Sequence, residues 1–468
     1  MRVFVGTVTV MAATLTGCVH YRARTFSAPA LEDSFRARSL VDTGLVEYLR
    51  ANQAGVTNWP PSGLDVRTLA LVGYYFNPEL TVARARLITA EAAVRVAGIR
   101  PSPSVALEGG YNRNPESHPT YSILPSFTIE TAGKRGLRIV QAQQQMEAAR
   151  AAFLQTGWVV RSRIRGAVYS YLLAERRQKL LEAEVVVRTE VVDIYETRLA
   201  AGEAPRPELD IYRVDLNTAR SSLGAALGDT AQSRVAIANA VGLPAAALED
   251  ITIQTPELDS PPALDSLPIA AVRKAGILHR ADVRRALAEY AAADAAVRLE
   301  VAKQYPDVQL TPSYQFQEGF GEYILNAALQ PLSLYRSRPI IQQAEAEREQ
   351  AASQFQLQQT QAIGEMERAV AQYQSAFKAW RDAGSRVLII QREREAAARR
   401  ALEAGEGDRL GVATARLETI TASRTELEAL TRVVTALIAL EDAMQQPMTA
   451  ALQIGDPPTG TSPSGSSK

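Results

Sequence analysis

The chain has 468 residues, with 51 basic and 51 acidic side chains, three histidines and one cysteine. Zero net charge excludes bulk attraction to nucleic acid, and a single cysteine excludes an intrachain disulfide framework. Sparse aromatics (6%) and abundant alanine and glutamine fit long coiled coils better than a large enzyme core.

Residues 1–17 read as a signal peptide, with Arg2 as the positive start and Val3 to Leu15 as a short apolar stretch. It ends in Leu15-Thr16-Gly17-Cys18, which looks like a bacterial lipobox, so Cys18 is the expected lipidation site. Val19, rather than an acid, follows the cysteine, which by resemblance to bacterial lipoproteins favours outer-membrane sorting. Residues 18–63 form an arm with a short helix expected around Leu40 to Asn52, ended by Trp59-Pro60-Pro61. Downstream of the signal, no apolar run reaches the roughly 18 residues of a membrane-spanning helix.

A repeat then organises the chain. Asn77 to Tyr111 returns as Arg280 to Tyr314 at a constant offset of 203 residues, with 11 of 35 positions identical. The first part of the unit is helical. Leu80, Ala83, Leu87, Ala90, Val94 and Ala97 keep a coiled-coil spacing, as do Val283, Ala286, Tyr290, Ala293, Val297 and Glu300. After Pro103 and Pro306 the period falls to two: Val105, Leu107, Gly109 and Tyr111 alternate with polar or small residues, as do Val308, Leu310, Pro312, Tyr314 and Phe316. Each strand has a return partner, around Tyr121 to Ile129 and Tyr323 to Leu329, giving hairpins at 103–130 and 306–330. At roughly ten residues, such strands are long enough to cross a bilayer when tilted. Tyr111, Tyr121, Tyr314, Phe320 and Tyr323 near the turns would suit an interface girdle. Two soluble hairpins packed on helices are the other reading of the same pattern. Pro125 and Pro312 are awkward for both, since each removes a ladder donor.

The first repeat, 64–248, is expected to hold one helix from Leu64 to Ala97, the hairpin, a very long helix from Gly133 to about Leu199, and a third from about Pro207 to Val241. A Pro-rich linker at 249–271 separates it from the second repeat, 272–445, whose long helix is expected from Pro339 to Leu402 and whose last helix ends near Met444. Residues 446–468, rich in Pro, Gly and Ser, are expected to be disordered. His20, His118 and His279 have no metal-ligand spacing, no phosphate-binding glycine loop is present, and no nucleophile-base set is credible, so neither an enzyme nor a cofactor is expected.

Four strands cannot close a barrel in lipid, so several chains must share one. At this point the sequence resembles the outer membrane factor family, the TolC-type exit ducts of tripartite efflux pumps. The resemblance rests on Asn77-Pro78-Glu79-Leu80, the Ala-rich helix running to Pro103, the hairpins, the Ala-Gly-Glu tips at 201–203 and 404–406, and Gly242-Leu243-Pro244. It implies a mainly α, internally duplicated fold in which antiparallel coiled-coil helices form an α-barrel. Four transmembrane strands per protomer would build a twelve-stranded barrel in a homotrimer held in outer-membrane lipid at Cys18. It also implies a periplasmic membrane-fusion adaptor and an inner-membrane pump of the RND type as partners. Gly133-Lys134-Arg135 with Arg138 resembles the heavy-metal (cobalt-zinc-cadmium) subgroup. The gate is expected at Glu406, Asp408 and Arg409, and adaptor docking at Gly202, Glu203, Gly405 and Leu410; the competing reading makes these ordinary turn and cap residues. A non-conducting periplasmic coiled-coil scaffold lipoprotein is the alternative to a duct.

Overall fold

The computed structural model describes residues 21–23, 26–52, 59–61, 63–111, 119–254, 256–263, 267, 269, 277, 279–317, 319–329 and 334–448. The signal peptide, Cys18, His20, His118 and the tail from 449 lie outside the described residues.

The arm carries α1 (Ala28–Arg36) and α2 (Thr43–Asn52). The strand β1 (Gly63–Leu64) leads into α3 (Val66–Phe76) and α4 (Pro78–Ala97). The single helix expected over 64–97 is therefore two. Pro78 disfavours helical geometry at Asn77, which becomes the N-cap of α4 by accepting from Glu79 N–H at 2.9 Å. The break lets α3, apolar nearly all round, turn into the core, where Leu69 and Val72 are fully buried.

Next come β2 (Ser104–Gly110), β3 (Thr120–Ile129), α5 (Lys134–Ala200) and α6 (Arg206–Val241). At 67 residues α5 is about 100 Å long. The inter-repeat segment includes β4 (Thr252–Ile253), which pairs in parallel with β1. The second repeat is α7 (Ala281–Ala302), β5 (Val308–Gln317), β6 (Phe320–Leu329), α8 (Leu334–Asp382), α9 (Ile389–Glu403) and α10 (Arg409–Met444). The expected helix from Pro339 to Leu402 instead begins at Leu334, with Pro339 inside it, and a single π-helical turn at Ala383–Leu388 interrupts it. The corresponding stretch of α5 is regular α-helix.

The duplication reaches individual hydrogen bonds. Asn77 Nδ2 donates to Ala240 O at 2.9 Å, and Arg280 Nη1, 203 residues on, donates to Ala443 O at 2.7 Å. Both α6 and α10 have 36 residues, and each is followed by a left-handed residue, Gly242 (φ +88°) and Gln445 (φ +47°). Gly242 has no alternative there, because a Cβ would lie 2.9 Å from Phe76 O. Gln445 has room for a side chain and uses it, accepting from Ala281 N–H at 2.7 Å.

The two repeats are joined in the interior by Arg165 of α5 and Glu441 of α10, an ion pair with both side chains 3% exposed. Glu441 also accepts from Met448 N–H at 2.9 Å, and its neighbour Asp442 accepts from Trp158 Nε1 and Ser162 Oγ. Removing one member of a buried pair strands the other charge, whereas an exposed pair contributes little. Glu441→Ala is therefore expected to cost about 3–5 kcal/mol, and Glu79→Ala, which breaks the exposed pair with Arg163, less than about 1 kcal/mol. Denaturant titration followed by tryptophan emission separates the two.

Candidate functional site

The four long strands form one antiparallel sheet in the order β2-β3-β5-β6. Because side chains alternate, the register sorts them onto two faces. Leu107, Ile123, Tyr314 and Tyr323 are successive partners across all four strands, and the same face carries Val105, Phe127, Ile129, Leu310, Leu325 and Leu329. This apolar face is uncovered, with Leu107 75% and Tyr323 88% exposed. The other face carries Ser126, which accepts from Gln309 Nε2 at 2.8 Å and from Thr311 Oγ1 at 3.2 Å. Ser122 and Ser313, the buried residues of the sheet, also lie on that polar side. Strands β3 and β5 pair at Tyr121–Ile123 and again at Phe127–Ile129, and the gap between sets Pro125 opposite Pro312. The two missing donors thus fall at one place in the ladder.

The sheet is clamped to the helices through Lys134, Arg135 and Arg138, the residues that carry the resemblance to the heavy-metal subgroup. Lys134 Nζ, at the start of α5, bonds Asp307 Oδ1 at 2.7 Å and Tyr305 O at 2.6 Å, tying the first repeat to the second. Thr131 N–H donates to the same Asp307 oxygen at 2.9 Å. Arg135 Nε donates to Gly98 O at 2.7 Å, and Arg138 pairs with Glu130. Burial raises the Asp307 pKa, but the bonds from Lys134 and Thr131 and the charges of Lys134 and Arg138 outweigh it and hold the carboxyl below its ordinary value.

At the far end of α5 the chain turns through Gly202 (φ +76°), and at the end of α9 through Gly405 (φ +75°). Both close the same C-terminal motif, with Glu203 N–H to Arg198 O and Glu406 N–H to Ala401 O, each at 2.8 Å. Gly202, Glu203, Gly405 and Glu406 are exposed. Asp408 has two roles: it caps α10 by accepting from Gly411 N–H at 2.8 Å, and its other oxygen meets Arg198 of the first tip at 3.1 Å. Arg409 reaches Glu190 at 3.5 Å. Leu410 is half-buried, packed with Tyr212 and Leu417 against a core of Val187, Val191, Val192, Tyr195 and Leu209. It also lines a cavity of about 230 Å³ with Arg188, Asp215 and Thr414.

Sequence reasoning missed the rest of this contact. Arg416 pairs with Glu190 at 3.1 Å and Arg424 with Glu184 at 3.2 Å, so α10 and α5 are laced by charges from mid-height down to Arg198 and Asp408. The seven-residue spacing of Arg409 and Arg416 on one helix was the available signal. Among the described residues no group of His, Cys, Asp and Glu is arranged to hold a metal, and no helix is long and apolar enough to cross a membrane.

The architecture is that of solved outer-membrane channels. The structure of VceC from Vibrio cholerae superposes with a TM-score of 0.64 at 20% identity, covering 82% of this chain and 97% of that one. The open state of MtrE from Neisseria gonorrhoeae gives 0.68 at 18% identity, covering 83% and 90%. Residues 76–243 match the family described as outer membrane efflux protein. Among curated proteins it is 24% identical over 282 residues to the cobalt-zinc-cadmium resistance protein CzcC of Cupriavidus metallidurans. That alignment spans 59% of this chain and 62% of the relative's length.

Two outcomes are expected. A carboxyl with a depressed folded pKa stabilises the structure above its ordinary value and loses that contribution as pH falls through the folded one. The clamp at Asp307 should therefore start to loosen near pH 4, seen as faster amide exchange at Thr131, and Lys134→Met should give the same loosening at neutral pH. At the tip, Asp408→Ala removes both the cap and the link to Arg198, and should lower stability by about 1 kcal/mol. Asp408→Asn keeps a capping oxygen and should lose only the charged link, so in a melting series it should stay near the parent.

Proposed function

We propose that the chain is one protomer of an outer-membrane exit duct of a tripartite efflux pump. Three copies contribute four strands each to a shared twelve-stranded barrel, and their long helices continue it as a tube through the periplasm. The observation that carries this reading is the sheet: one face apolar across every strand and uncovered, the other polar, at the end of helices about 100 Å long. A scaffold that stayed in the periplasm would leave that apolar face in water without purpose.

The polar strand faces line the pore, and solutes pass by conduction. The tips close the inner end, with Glu406, Asp408 and Arg409 at the gate and the ion pairs between α5 and α10 holding the closed arrangement. Gly202, Glu203, Gly405 and the cavity beside Leu410 receive a periplasmic membrane-fusion adaptor, which connects to an inner-membrane pump of the RND type. Cys18 carries the lipid anchor. The cargo is small molecules or ions, and the relation to CzcC favours metal cations. The Lys134-Arg135-Arg138 motif takes no part in that choice, since its side chains hold the sheet to the helices.

The test is conductance of the purified protein in a planar bilayer, with Asp408→Ala and Asp408→Asn alongside. Stepwise channels that open more readily in both variants support the duct and its tip gate. Opening in the alanine variant alone would assign the effect to the lost cap. Folded protein that forms neither channels nor a trimer by native mass would leave the scaffold as the better reading.

A further inference from the structure

The four long strands hold two charged side chains, Glu108 in β2 and Glu322 in β6. They sit on the outer strands of the sheet, and the register places them in one row. Glu108 is the partner of Ser122, Ser122 of Gln315, and Gln315 of Glu322. Register partners share a face, so both acids are on the polar side with Ser126, Gln309 and Thr311. Neither is on the apolar side, where a charge facing lipid is costly.

Their position along the strands is also shared. Glu108 is two residues before the end of β2 at Gly110, and Glu322 is two residues after the start of β6 at Phe320. Both are thus near the turn end of their hairpins, away from the Lys134–Asp307 clamp to the helices. Three strand spacings of about 4.8 Å separate them within one chain, so they do not form a local pair.

We propose that Glu108 and Glu322 form an acidic collar at the outer mouth of the pore and set its preference for cations. This rests on the duct reading, in which three copies bring both acids around one lumen. When β6 of one copy meets β2 of the next, the carboxylates fall at three seams around the lumen, and a ring of like charge in a narrow polar passage favours the opposite ion. No basic side chain within the four strands offsets them. The collar is at the opposite end from Glu406 and Asp408, so the two acidic levels can be told apart by the side from which a cation is applied.

The experiment uses full-length trimers inserted in planar bilayers with known orientation. The reversal potential in a potassium chloride gradient reads cation preference, and lanthanum ion is added to one side at a time. Parent channels should prefer potassium and be blocked by lanthanum from the turn-end side. An E108Q/E322Q variant should lose most of the preference and need roughly tenfold more lanthanum from that side. An E108D/E322D variant, which keeps the charges, should behave as the parent. Parent-like preference and block in the E108Q/E322Q channels would overturn the collar. So would equal changes in the Asp and Gln variants, which would point to altered packing instead of charge. Folded trimers of the parent that never conduct would overturn the duct reading, and the collar with it.

Discussion

In the proposed duct a backbone N–H or C=O in hydrocarbon has no water to bond, and the arrangement of the strands depends on this constraint. The sheet satisfies its inner strands, but β2 and β6 are left as edges. Within one chain no further strand is available among the described residues to cap them, because the β1-β4 pair forms a separate sheet. An uncovered apolar face is unfavourable in water, and open strand edges are unfavourable in lipid. In the proposed duct, association through the edges meets both demands, and the helices beneath the strands share their axis.

The duplication explains how one chain builds two equivalent walls. The contacts of Asn77 with Ala240 and of Arg280 with Ala443 fix the short helix of each repeat to the end of its last helix by different side chains. What is kept is the backbone geometry, a left-handed residue after α6 and α10, while the chemistry that fills it has diverged. Symmetry is broken where the repeats must act differently. Only the second repeat has a π-helical turn in its long helix, and the first tip supplies Arg198 where the second supplies Asp408. Buried and exposed charge are also used unequally along α10. Glu441 is sealed against Arg165, midway along α5, while at the other end of α10 Arg409 is 71% exposed, so the tip end is held by weaker links than the middle of the molecule.

Much of this was legible in the chain. The ends of α5, α6 and α10 follow from glycine, proline and heptad spacing, and the tip glycines follow from helix C-terminal geometry, because these are local effects of neighbouring residues. The strand faces follow from a period of two. The break at Asn77 was hidden because an apolar pattern continues through it. The helix running past Pro339 and the π-helical turn were hidden because tertiary packing overrides local preference.

The sequence by itself determined the period, length and order of the elements, and with them a duplicated chain of long helices and membrane-length strands. Only the tertiary structure decided which side chains meet across the repeats: Lys134 with Asp307, Arg165 with Glu441, Arg198 with Asp408, and Glu108 in one row with Glu322. Periodicity is a property of consecutive residues and can be read along a line. These pairings join residues more than 170 positions apart, and no local preference records the register at which two distant segments come to rest.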